Sequence, residues 1–254
     1  MLKNKDLLTL LIRLFLGYIF FSAGICKLTH GNFGQIIGPP WLEESLAKYG
    51  LGFFAQVVAI SQVLCGTLLL SQRYSLLGSI MLVPMNVAIL AVTTSMNWTG
   101  TPYVNSVFLL LNLALLGMEH KKFSFLLQPN QEYTITPSTT DQIGQNLYSW
   151  VGIGLSLLTI SATFVNYTLT NITAVLAFAA FAATIIRSVQ FTKLDYVLIL
   201  LPFAAMIGIT YGGLLYMMPV VAGIIATEAL LLTYRLVIAS RATVTSEMSA
   251  ASPV

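Results

Sequence analysis

The chain has 254 residues, 57% of them hydrophobic and only 8% charged, with a formal charge of +3. Soluble domains carry about 25% charged residues, so this balance, with a mean hydropathy of +0.84, excludes a soluble single core and points to uncharged runs that cross a membrane as helices. The small, scattered positive charge gives no footing for nucleic acid, and two cysteines cannot build a disulfide framework.

Eight apolar segments follow in chain order, at 7–27, 51–71, 75–96, 103–118, 148–165, 172–188, 196–211 and 214–234. Most have the roughly 17–25 residues a bilayer requires; the fourth and seventh are shorter. The first ends in "LGYIFFSAGICKL" (16–28). It approaches full spanning length, another span follows it, and Ile25 rather than a small residue precedes Cys26, so a retained helix is expected in place of a cleaved signal. Gly17, Ala23 and Gly24 fall on one side of that helix, and small residues there let a neighbouring backbone approach. Cys26 and Cys65 differ in depth by about 20 Å at a rise of 1.5 Å per residue, too far for a disulfide.

The first outer loop, 28–50, contains "GPPWLEESLAKYG". Prolines at the entrance, Glu43 and Glu44 in the first turn and Gly50 as a stop predict a short helix near 41–49. It would lie on the outer membrane face, as an anchor or as a lid over a pocket. Gln62, Asn86 and Asn112 sit near the centres of the second, third and fourth spans, and Cys65 is one helical turn from Gln62. These four could line a polar pocket, or the amides could simply bond between helices for on the order of 1 kcal/mol each.

A polar connection containing Pro129 and Pro137 then divides the chain. The expected organisation is a four-helix membrane domain at 1–120, a cytoplasmic connection at 121–147, a second four-helix membrane domain at 148–240 and a disordered tail at 241–254. The last two spans are separated only by Tyr211-Gly212-Gly213, a turn signal that also allows a re-entrant pair. Eight alternating spans put Lys3, Lys5, Arg73, Lys121, Lys122, Arg187, Lys193, Arg235 and Arg241 on one side, and only Lys27 and Lys48 on the other. By the positive-inside rule both termini are then cytoplasmic, as expected for a bacterial inner-membrane protein.

The order Arg, Leu-Gly, aromatics, Ala-Gly, Lys-Leu in "RLFLGYIFFSAGICKL" (13–28) resembles the start of the DoxX-like family of four-helix membrane proteins. "FFAQVVAISQVLCGTLLLSQRYSLLGSIML" (53–82) resembles that family's second span, short basic turn and third span. The resemblance covers about residues 7–120. It implies a compact membrane bundle associated with redox chemistry or quinones, as in subunits of thiosulfate:quinone oxidoreductase and methylamine-utilisation proteins. Quinone is therefore the cofactor it implies.

Two charges inside spans also stand out. Arg13 lies near 9 Å inside the first span and Glu228 at a similar depth in the last, by helical rise. Such charges are costly in lipid and tend to face a partner, so an Arg13–Glu228 pair is one reading; the other is that Arg13 snorkels to the headgroups. Lys27, with His30, marks the outer boundary as an interfacial cation or an anion contact. His30 and His120 are expected on opposite sides, and no span carries a metal-ligand motif, so no metal or haem is expected. Met81, Met85, Met206, Met217 and Met218 read as packing. The sequons at Asn97, Asn166 and Asn171 are assigned no glycans. The expected function is a redox- or quinone-linked accessory subunit whose partners are lipid and other membrane subunits. The alternatives are a non-catalytic assembly subunit and a small-molecule transporter or cargo-binding protein.

Overall fold

A computed structural model describes residues 3–38, 41–123, 139–212 and 214–250. Their main regular elements are α-helices: α1 (Asn4–Leu28), α2 (Leu42–Ala47), α3 (Gly52–Leu70), α4 (Ser75–Ser95), α5 (Thr101–Met118), α6 (Thr139–Ile143), α7 (Leu147–Ala162), α8 (Tyr167–Ile186), α9 (Lys193–Gly212) and α10 (Leu214–Ala250). Seven are long and apolar enough to span a membrane, and α7, at 16 residues, is the shorter eighth. The chain is a polytopic helical membrane protein. The expected surface helix is α2, and α9 and α10 each contain a span-length apolar stretch. Pro39, Pro40, the connection from 124 to 138, Gly213 and residues 251–254 lie outside the described residues, as do the side chains of Met217 and Met218. The backbone of α10 continues to Ala250, past the start of the tail at 241.

The helix ends follow from local chemistry. α1 stops in a Schellman turn: His30 is left-handed at φ 50°, His30 N donates to Lys27 O at 3.1 Å and Gly31 N to Cys26 O at 2.8 Å. α4 stops the same way at Asn97, φ 52°, with Trp98 N donating to Thr93 O at 3.0 Å. Asparagine tolerates this conformation, which explains one sequon without a glycan. A second sequon is a cap: Asn166 Oδ1 accepts from Thr168 N at 2.7 Å and Leu169 N at 3.2 Å at the start of α8.

α1 is the axis of the bundle. Of its most apolar window 83% is buried, against 11% for that of α10. Its small residues meet α3 as their spacing predicts. A side chain at Gly24 would stand 2.5 Å from Ala59 O, and one at Gly66 on α3 would stand 2.5 Å from Gly17 O. One side of α1 (Leu16, Ile19, Phe20) packs with Cys65, Leu82, Met85 and Phe108 of α3, α4 and α5. The other (Leu14, Tyr18, Phe21, Ile25) packs with Phe178 and Phe181 of α8 and Phe203 and Met206 of α9. Tyr18 and Phe21 meet Phe178 edge-on, with ring centroids 5.7 and 5.2 Å apart. The two expected halves therefore share a core through α1. Both cysteines are buried and free.

Candidate functional site

At the end of the bundle that carries α2, a cavity of about 440 Å³ opens between α1, α3, α4 and α5. Ile19, Phe20, Ile89, Val104 and Phe108 give it apolar walls, and Trp41 and Leu42 close it from the α2 side. Trp41 stacks at 4.7 Å on Trp98, which the Schellman turn of α4 holds in place. Two glycines in left-handed or extended-positive backbone, Gly38 at φ 138° and Gly100 at φ 85°, also line it, letting the chain turn closely around the opening.

Lys27 and Gln62 make a polar corner of this cavity, and Asn105 also lines it. Lys27 is 3% exposed. Its Nζ donates to Ala23 O at 3.0 Å and to Gln62 Oε1 at 3.1 Å. An ammonium has three donors, so one remains with no acceptor among the described residues, and none of their carboxylates lies within 4.0 Å. The C-terminus of α1 offsets part of the burial cost, but a cation at a helix C-terminus gains only about 0.3–1 kcal/mol, up to ~2 in buried geometry. Withdrawing an ammonium from water costs several kcal/mol. The helix end alone does not balance that charge.

Arg13, three to four turns before Lys27 on the same helix, is fully buried and satisfied differently. Its partner is Glu119, just past the end of α5, not Glu228. Arg13 Nη1 also donates to Gln72 Oε1 at 3.2 Å. Gln72 sits in the α3–α4 turn with φ 56°, and its Nε2 donates to Leu69 O at 2.9 Å. Lys122 extends the cluster, reaching Glu119 at 3.4 Å and pairing with Asp141 of α6. Glu228 instead lines a separate crevice of about 80 Å³ with Leu11, Phe15, Tyr18 and residues of α9 and α10. Equal depth brought Arg13 and Glu228 together in the sequence reading; their azimuths around the bundle separate them. The buried cation of α10 is Arg235, whose Nε donates to Asp195 Oδ1 of α9 at 3.0 Å.

The expected constellation of Gln62, Asn86, Asn112 and Cys65 is divided in the same way. Gln62 faces the cavity. Asn112 Nδ2 donates to Ser79 O at 2.9 Å, tying α5 to α4. Asn86 is wholly buried in α4; its backbone carbonyl accepts from Asn105 Nδ2 at 2.8 Å, and its own side-chain amide has no hydrogen-bond partner among the described residues. Cys65 packs among apolar side chains of α1 and α4. Asn105, which depth matching passed over, stands two turns before Asn112 on the same face of α5, and that spacing was its available signal. Glu119 had one too, as an acid at the boundary of an apolar run. His30 and His120 lie at opposite ends of the bundle, as expected from their places after α1 and α5.

Residues 8–95 match the DoxX family model. Over 120 residues, 44% of this chain and 76% of the other, the sequence is 27% identical to the uncharacterized protein YwoB of Bacillus subtilis (strain 168). No solved structure matches. The family match covers α1 to α4, hence Lys27, Gln62 and most of the cavity wall; α5, which supplies Val104, Asn105 and Phe108, lies beyond it.

Proposed function

We propose that this chain is a redox-linked accessory subunit of a membrane complex, and that the α1/α3/α4/α5 cavity holds a lipid-soluble ligand of the quinone class. One observation carries the reading: a cavity between candidate spans, apolar on most sides, with Lys27 and Gln62 in one corner. A quinone ring fits such a place, its body against Ile19, Phe20 and Phe108 and a carbonyl oxygen accepting from Lys27. The DoxX match is consistent with it, since it covers the residues of that corner. In this reading the basic residues near the N-terminal end of the bundle support cytoplasmic termini, with the cavity toward the outer leaflet of an inner membrane.

The test uses the full chain in dodecyl maltoside with Trp150→Phe, so that Trp41 and Trp98 report from the cavity mouth. A short-tailed neutral benzoquinone should quench them saturably, and Val104→Phe, which fills the wall, should weaken that at least tenfold. Quenching that never saturates and ignores Val104→Phe overturns the reading. A stable membrane partner that co-purifies while the cavity binds no quinone would favour a purely structural subunit.

A further inference from the structure

Resting on the cavity assigned above, we infer that its ligand is an anionic amphiphile: an apolar body carrying a carboxylate, a phosphate or an ionised hydroxyl that sits against Lys27 Nζ. Every other buried cation described here has an acid. Arg13 has Glu119 and Arg235 has Asp195, each supplied by a different helix or turn. Lys27 is as deeply buried, yet its protein acceptors are a backbone carbonyl and an amide oxygen, both neutral. Lys27 lines the cavity, whose other polar lining residues (Gln62, Asn105, Thr93, Thr99, Thr101) bring no charge of their own.

The missing negative charge thus belongs to whatever fills the cavity. Its shape sets the rest of the molecule. Ile19, Phe20, Ile89 and Phe108 extend away from the charged corner as an apolar lining, suited to an alkyl chain or a flat ring. Gln62 is held by Lys27 through its oxygen, which leaves its amide nitrogen, a second donor, for the same head group. A neutral ligand would leave the ammonium buried and uncompensated. An anion converts that cost into the strongest contact in the site, a charge-assisted hydrogen bond out of water.

The experiment compares charged and neutral probes of equal tail in the Trp150→Phe background: decanoate with decanol, and an alkyl-hydroxynaphthoquinone anion with a neutral alkyl-benzoquinone. Binding is read from Trp41 and Trp98 fluorescence, with competition for probes that do not quench. Each anion should bind at least tenfold tighter than its neutral counterpart. Lys27→Met should abolish that ratio, and Lys27→Arg should retain it. If Lys27→Met does not fold, the wild-type ratio decides. Equal binding of anions and neutral probes overturns the inference and leaves the quinone reading standing. Decanoate binding without either quinone sustains the inference and overturns the quinone reading, identifying a lipid-derived carboxylate as the source. No binding by any probe overturns both.

Discussion

Arg13 and Lys27 are the two buried cations of α1, roughly four turns apart, and the fold treats them in opposite ways. At the Arg13 end four segments converge: the α3–α4 turn brings Gln72, the end of α5 brings Glu119, and Lys122 and Asp141 close the cluster. At the Lys27 end the same neighbours draw apart into a cavity, and the cation meets only neutral oxygens. A charge whose partner is covalently part of the chain stabilises one structure. A charge whose partner is absent from the chain prepares a place for something else. Burial alone does not separate these roles; the identity of the acceptor does.

The sharpest way to break that contrast is to remove each cation and compare thermal unfolding in detergent. Arg13→Met leaves the buried Glu119 with Lys122 alone, at 3.4 Å, and should cost about 3 kcal/mol, the low end for breaking a buried pair, with Glu119→Gln close behind. If Arg13→Met unfolds at the wild-type temperature, the cluster is not what holds that end. Gly66→Val should cost about 1–3 kcal/mol or more, because the new Cβ alone meets Gly17 O and the Phe21 backbone in the seam that joins the two ends. Measured by the same melt, an undisturbed protein would mean that the α1–α3 approach is looser than the seam requires.

Smaller effects belong to the cavity end. Asn105→Ala removes one bond between α5 and α4 and should cost about 1 kcal/mol. Lys27→Met should cost less than about 1 kcal/mol, since relief from burying an unbalanced ammonium offsets its two lost hydrogen bonds. A melt for Lys27→Met as depressed as that of Arg13→Met would erase the distinction and make both cations structural.

Much of the fold was legible in the sequence because lipid imposes a simple rule. The apolar runs became α1, α3, α4, α5 and α7 to α10, with shifts of a few residues at most ends and α10 continuing to Ala250, and Glu43, Glu44 and Gly50 marked α2. Gly17 and Gly24 pointed to a close neighbour, and α3 is there. The site was less legible, for one physical reason: position along a span gives depth, whereas contact also needs rotation about the helix axis. Gln62, Asn86 and Asn112 share depth but not azimuth, so only Gln62 reaches the cavity. Arg13 and Glu228 failed to meet on the same ground. Lys27 was readable as a boundary cation, but its burial in a cavity that Ile37, Gly38, Trp41 and Leu42 also line is not encoded by periodicity.

The rings Tyr18 and Phe21 carry one more consequence, for anyone who would trim this protein. They bind the family-matching segment to α8 and α9, so a truncation after residue 120 would strip those rings of their counterpart. The fragment would expose that face of α1 to lipid. Its measured properties would then describe an altered bundle rather than the parent molecule.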